Sequence, residues 1–494
     1  MRILCLALLV SLTACAVGPD FRRPALPEGA AAPAFKEGAS LQTSGSWQTS
    51  DSWQTSDSWK TATPASADTT RPWWAAFGDP RLDALVAEAV SANQDIRIAE
   101  AQYREAQALV QNAQSAWYPS VGVDASVSRA RSKTATGSTT LGNAHAWSLQ
   151  AGWEPDLWGR VRRAVEGASD SAQASEADLA AARLAVQAEL ANDYIQLRVA
   201  DAQQKLYDRT LEAYRKSLQI TQSQYRAGVV TRSDVELANT TLQAAQAQAI
   251  DTDLTRRQLE HAIAVLLGKT PSSFSLPPGD LALQLPQVPV GLPSELLERR
   301  PDIAGAERRA AAANAGIGFA QAAYYPTLSL TAGGGFSGAG LGRWLAAPDK
   351  VWALGAALAG TLLDGGLRSA QVAQARAVFD ASAAQYRKTV LAGFQEVEDN
   401  LAALELLARE RDAQDQAVTS ARAAERVSLS QYRAGTTTYL SVVTAQALAL
   451  TNERTALQLE GRQFAASVAL VKAVGGGWNA SQLQTSANTA SAGK

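Results

Sequence analysis

The chain repeats itself at an offset of 207 residues: Asp95-Ile96 recurs as Asp302-Ile303, Glu100 as Glu307, Tyr118-Pro119 as Tyr325-Pro326 and Gly159 as Gly366. Further on, Gln224-Tyr225-Arg226-Ala227-Gly228 returns as Gln431-Tyr432-Arg433-Ala434-Gly435. One offset kept over so long a stretch marks a duplicated unit, and its period is far longer than that of solenoid repeats. Each half is therefore a large unit of several elements. The 494 residues then form two halves of one architecture instead of two or three unrelated domains.

Charge is balanced, with 45 Lys and Arg against 47 Asp and Glu, so no nucleic-acid partner is indicated. Abundant alanine, accompanied by Leu, Glu, Gln and Arg, favours long helices. The only histidines are His145 and His261, and the only cysteines are Cys5 and Cys15. That inventory leaves little for metal or nucleophilic chemistry, and no catalytic residue, metal or cofactor is expected.

The N-terminus reads as an export signal over residues 1–14. Arg2 supplies the positive start, and Ile3 to Leu12 is an apolar run too short to span a bilayer. Leu12-Thr13-Ala14-Cys15 resembles the lipobox of bacterial lipoproteins, which makes Cys15 the expected site of acylation. Several acyl chains on one cysteine anchor stably, at about 0.8 kcal/mol per buried methylene. In lipoproteins an Asp after the cysteine tends to retain the protein at the inner membrane. Ala16 follows here, so the resemblance implies the outer membrane. Residues 15–72 form a tether dominated by Pro, Ala, Ser and Thr, with a tandem tract around Trp47, Trp53 and Trp59. Such composition cannot bury a core.

Within each half the order is helix, two strands, long helix, turn, helix. The halves span 73–270 and 293–474, separated by a Pro-rich connector, 271–292, and followed by a tail, 475–494. First helices are expected from about Pro80 to Ala116 and from about Pro293 to Ala323, stopped by the two Tyr-Pro pairs. The next segments alternate. Val121, Val123, Ala125 and Val127 oppose Gly122, Asp124, Ser126 and Ser128; Trp147, Leu149, Ala151 and Trp153 oppose Ser148, Gln150 and Gly152. In the second half Leu328, Leu330 and Ala332 oppose Thr327, Ser329 and Thr331. The return strand sets Trp352, Leu354, Leu358 and Leu362 against Gly355, Ala357 and Ala359. Gly333-Gly334-Gly335 reads as a loop or strand end. Strands of about 10 residues, apolar on one face and small or polar on the other, suit a membrane barrel with a watery lumen, and equally a two-sided soluble sheet. Trp117, Tyr118, Tyr324 and Tyr325 at the strand ends fit an interfacial belt. Four strands are too few to close a barrel, so several protomers must share one; three copies give 12 strands.

From Arg160 to Arg226 no proline interrupts, and the equivalent stretch from Leu367 to Arg433 is likewise free of it. At 1.5 Å per residue each is about 100 Å of helix, which places the hairpin tips about that far from the strands. Tyr207, Leu211, Tyr214, Leu218, Thr221 and Tyr225 step by four and three, a coiled-coil seam. Gly228 and Gly435 can take the left-handed conformation that ends a helix. Thr231 and Asp234 are spaced as a capping box for the return helix of the first half.

Several motifs now combine: Cys15-Ala-Val-Gly-Pro-Asp-Phe21, Trp73-Trp74-Ala-Ala-Phe-Gly-Asp-Pro-Arg-Leu82, Leu292-Pro-Ser-Glu-Leu-Leu-Glu-Arg-Arg-Pro-Asp-Ile303, the two Gln-Tyr-Arg-Ala-Gly tips and Gly475-Gly-Gly-Trp478. In that order they resemble the outer-membrane factors of bacterial tripartite efflux systems, the TolC-like family, in its lipoprotein branch. The resemblance implies an α+β membrane protein that forms a homotrimer. Its 12-stranded outer-membrane β-barrel would continue into a long periplasmic α-helical barrel. It also implies a passive exit duct, fed by a periplasmic adaptor (a membrane fusion protein) and an inner-membrane pump. Tyr225, Arg226, Gly228, Tyr432, Arg433 and Gly435 would be the tips that meet the adaptor, with outer-membrane lipid around the barrel. Lipoprotein members carry Tyr-Leu just past the second tip, followed by Asp and then Arg. Here the matching positions are Leu440, Thr444 and Ala447, so the leucine of the gate is kept and the ionic pair is absent. A lipid-anchored coiled-coil scaffold or adhesin explains the helices but not the strands. A periplasmic enzyme lacks any recognisable catalytic cluster, nucleophile elbow or phosphate loop.

Overall fold

The structure, a computed structural model, describes residues 16–27, 35–36, 72–133, 137, 139–286, 296–338, 350–481 and 483. Cys5, Cys15, the tryptophan tract, residues 287–295 and the tail from 484 lie outside the described residues. After a 3-10 turn at Trp73–Phe77 the elements run α1 (Pro80–Ala92), α2 (Gln94–Ser115), β1 (Ser120–Lys133), β2 (Thr139–Trp153), α3 (Arg160–Arg226) and α4 (Arg232–Leu266). The second half gives α5 (Leu296–Arg299), α6 (Pro301–Ala322), β3 (Thr327–Gly338), β4 (Lys350–Ala359), α7 (Leu367–Arg433) and α8 (Tyr439–Ala473). Adding 207 to the bounds of α2, α3 and α4 reproduces those of α6, α7 and α8 residue for residue. Among the described residues no helix is long and apolar enough to cross a membrane.

The first helix is two helices, not the single one the sequence suggests. Asn93 adopts ψ 136° between α1 and α2, and its Oδ1 accepts from the amides of Asp95 and Ile96 at 2.8 and 3.1 Å. Its Nδ2 donates to the Leu266 carbonyl at 3.0 Å, so a buried asparagine caps one helix and ties it to the end of α4. In the second half the long first helix begins at Pro301 instead of Pro293. Proline suits a first helical position because its missing amide would have no intrahelical partner there.

Two compact units emerge, and they cut across the repeat. One comprises Met1–Ala25, Ala101–Glu176 and Gly305–Lys388; the other comprises Leu26–Glu100, Ala177–Ala304 and Thr389–Lys494. The first unit holds the sheet. Its strands run in the order β1-β2-β3-β4, all antiparallel, so the two repeats join through β2 and β3. The triple glycine lies inside β3 and not at its end. A Cβ at Gly335 would fall on the Trp147 carbonyl and the Ser148 backbone of β2, so only glycine allows that approach. Leu362 falls beyond β4. The last pair is Thr327 with Ala359, and the next residue on the β3 side is Pro326, which has no N–H to extend the ladder.

The second unit is helical and is stiffened by a buried ionic network. The Arg198 Nη1 donates to Asp201 Oδ2 at 2.6 Å, and Arg256 Nε donates to Asp201 Oδ1 at 2.6 Å. The same groups grip the connector: Gly279 N donates to Asp201, Arg256 Nη2 donates to the Leu276 carbonyl, and Leu276 N donates to Glu260. In the second repeat Arg300 plays a similar part, bonding Asp302, Glu396 and the Ala473 carbonyl at the end of α8. Removing one partner of the Arg198–Asp201 pair leaves an uncompensated buried charge, which costs about 3–5 kcal/mol.

Candidate functional site: sheet wall and hairpin tips

Residues directly opposite in an antiparallel pair share a face. The register therefore collects Val121, Val123 and Val127 of β1 with Trp147, Leu149 and Trp153 of β2. It continues them into Leu328, Leu330 and Phe336 of β3 and Trp352, Leu354 and Leu358 of β4. Most of these side chains are exposed, and Trp147 stacks on Phe336 at 5.4 Å. The opposite face carries Ser120, Gly122, Asp124, Ser148, Gln150, Thr331 and Gly355, all small or polar. An exposed apolar band of this kind across four strands must be covered, and its alternation with a small, polar face suits lipid on one side and water on the other. Below the strands Trp158 stacks on Tyr325 at 5.0 Å and donates to the Pro326 carbonyl at 2.7 Å, while Trp153 donates to the Trp117 carbonyl.

The residues that follow Cys15 are strapped to this unit. Val17 N donates to the Trp158 carbonyl, and Ala16 lies against Gly159, where a Cβ would come within 2.9 Å of the Ala16 Cα. The buried Arg163 reaches the Val17 and Gly18 carbonyls and Asp20; Asn314 holds the Pro19 carbonyl, Arg23 pairs with Glu307 and Arg387 donates to the Ala25 carbonyl. The motif from Cys15 to Phe21 is visible in the chain, but the clamp that holds it is not, because Val17 and its Arg163 partner lie 146 positions apart.

The tips are built alike. Gly228 and Gly435 have φ of 73° and 75°, and nothing lies within 4 Å of a Cβ placed on either. Their amides donate to the Tyr225 and Tyr432 carbonyls, and the next amides donate back to Gln224 and Gln431, the pattern of a Schellman motif. Thr231 and Asp234 form a reciprocal capping box at the start of α4. Thr438, its counterpart, makes no side-chain cap. The coiled-coil seam is buried at Tyr207, Leu211, Tyr214 and Thr221 and half-buried at Leu218, but Tyr225 is 45 % exposed. Tyr432 is 3 % exposed; it donates to Thr221 Oγ1 at 3.2 Å and packs on Tyr439 at 5.2 Å. It therefore joins the two hairpins, while Arg226 and Arg433 are exposed beside it. Burial pushes the Tyr439 hydroxyl up to about 12 and keeps this cluster neutral. On α8, Leu440 is 60 % exposed and shares one face with Thr444, Ala447, Leu448 and Thr451, also exposed. The Thr444 hydroxyl is occupied by the Leu440 carbonyl at 2.9 Å.

A sheet apolar on one face and polar on the other, duplicated together with two helical hairpins, defines a subunit of an outer-membrane channel. The family model of outer membrane efflux proteins matches residues 85–269 and 292–476, and the chain belongs to that family. The toluene efflux pump outer membrane protein TtgC of Pseudomonas putida is 31% identical over 411 residues, 82% of this chain and 85% of that protein. Outer membrane protein OprJ of Pseudomonas aeruginosa is 31% identical over 491 residues, 96% of this chain and 95% of that one. The solved outer-membrane channel OprN superposes with a TM-score of 0.80 at 30% identity, covering 94% of this chain and all of that chain. The protein is thus an outer-membrane efflux component and not an enzyme.

Proposed function

We propose that three copies of the chain close one 12-stranded barrel that serves as the exit duct of a tripartite efflux system. The observation that carries this reading is the sheet itself. It is apolar on one face, yet β1 and β4 each present an open edge, and an open edge cannot stand in hydrocarbon. A neighbour's strand on each side satisfies both edges and makes the small, polar face a lumen. Acylated Cys15 anchors each protomer in the lipid, and the Arg163 strap fits that role by holding the segment that follows it to the strand-bearing unit. The long helices extend into the periplasm, where the tips of both repeats meet an adaptor that delivers substrate from an inner-membrane pump. Leu440 and Thr444 line the constriction. Purified protein reconstituted in planar bilayers should conduct as a trimer of defined mass. A monodisperse monomer that is silent in bilayers would sink the shared barrel.

A further inference from the structure

A cavity of about 210 Å3 lies in the helical unit, walled by α3 of the first repeat and by α7 and α8 of the second. Two of its walls hold buried polar atoms with no hydrogen-bond partner. Tyr214 is 4 % exposed and its hydroxyl is unpaired; Gln446 is 2 % exposed and its Oε1 is unpaired, although its Nε2 donates to Ser217 Oγ. A buried polar group without a partner costs about 1–3 kcal/mol, so two at one cavity point to an occupant that satisfies them.

The charges around it select the chemistry. Arg422 of α7 is paired with Glu453 of α8, and Arg209 of α3 is exposed and turns its Nε to the Lys205 carbonyl. Among the described residues Glu425 has no ion pair within 4 Å. Desolvation raises its pKa first, and repulsion from Glu453 adds to that, against the weaker pull of Arg422 and Arg426. Gln446 Oε1 is an acceptor without a donor, the Tyr214 oxygen has a free lone pair beside an O–H that is itself unpaired, and the half-buried Glu425 carboxylate supplies the negative charge. Leu206, Ala213, Ala449 and Leu450 supply an apolar wall beside them. We infer that this cavity is a binding site for a small primary alkylammonium ion, whose three N–H donors meet these acceptors while its alkyl stem lies on the apolar wall. Such a ligand would bridge the two hairpins of one protomer. The duplication does not copy the site. The counterparts of Tyr214, Glu425, Gln446 and Glu453 are Ala421, Leu218, Asn239 and Gln246, so one site per chain is expected.

Calorimetric titration of the intact, detergent-purified protein with n-propylammonium chloride at pH 8 tests this, with tetramethylammonium chloride at equal ionic strength as the ion without N–H donors. Saturable binding of propylammonium at one per chain is expected, with at least tenfold weakening in Glu425→Gln and several-fold weakening in Tyr214→Phe. Affinity should fall as acid protonates Glu425. Ala449→Leu, which fills the cavity from its apolar wall, should abolish binding while the elution volume stays that of wild type. A cavity that holds only water gives no saturable heat and overturns the proposal. Equal binding of tetramethylammonium, or affinity unchanged in both Glu425→Gln and Ala449→Leu, overturns it as well. Bilayer conductance is a separate readout, so failure here leaves the duct reading intact.

Discussion

At the residue scale, Asp193 shows how the helical unit responds to pH. Burial in α3 pushes its carboxyl up to about 6, and the Glu189 charge one turn earlier adds to the shift. An acid whose folded pKa is raised contributes stability that is present below its unfolded value near 3.8. That stability is lost as pH rises through about 6. Asp193→Asn should therefore raise stability at pH 7.5 by roughly 1 kcal/mol after solvent screening, seen as a higher unfolding midpoint, and add little at pH 4. Thermal scans of both proteins at the two pH values check it; equal effects at pH 4 and 7.5 would show that packing, not charge, is at work. The tip glycines make a complementary case. With open space around both, the requirement for glycine comes from the backbone alone, so Gly228→Ala and Gly435→Ala should each cost about 1 kcal/mol. Hydrogen exchange should localise that loss to the last turn of α3 or α7, with the sheet unaffected.

At the scale of elements, the helices and strands were legible because each rests on a local pattern. Period-two alternation located all four strands, and proline-free stretches located α3 and α7 with both ends placed by Tyr-Arg-Ala-Gly. What escaped was whatever depends on distant partners. Asn93 breaks the first helix because its side chain is satisfied by Leu266, 173 positions on. Gly335 sits inside a strand because β2 comes close there, which no reading of β3 alone reveals. Tyr432 divides the tip residues in the same way: its hydroxyl bond to Thr221 assigns it to the contact between hairpins, leaving the exposed Arg226, Arg433 and Tyr225 as the groups proposed to meet a partner. Arg433→Glu should thus abolish efflux and adaptor cross-linking while outer-membrane level and oligomeric mass stay normal. Survival of both efflux and cross-linking would remove the docking role. Tyr432→Phe, which deletes only the buried hydroxyl bond, should lower stability by about 1 kcal/mol and leave cross-linking intact.

At the scale of the whole molecule, the question is what closes the duct at rest. One face of α8 carries Leu440, Thr444, Ala447, Leu448 and Thr451, and all five are exposed in the single chain. If these faces converge in a trimer, the ring nearest the tips is three leucines, followed one turn on by three threonines. The threonine hydroxyls are already engaged by the Leu440 carbonyls, so the ring offers neither charge nor spare donors. Closure then relies on apolar contact and dewetting, and salt should affect it little. Leu440→Ala should raise resting single-channel conductance several-fold and increase sensitivity of cells to large antibiotics, whereas Thr444→Ala should change neither. Thr444→Asp places three carboxylates around the axis and should convert a weakly selective channel into a cation-selective one, read as a shifted reversal potential in a salt gradient. If Leu440→Ala trimers conduct like wild type and Thr444→Asp leaves the reversal potential unmoved, this face of α8 points away from the duct and the constriction lies on another helix.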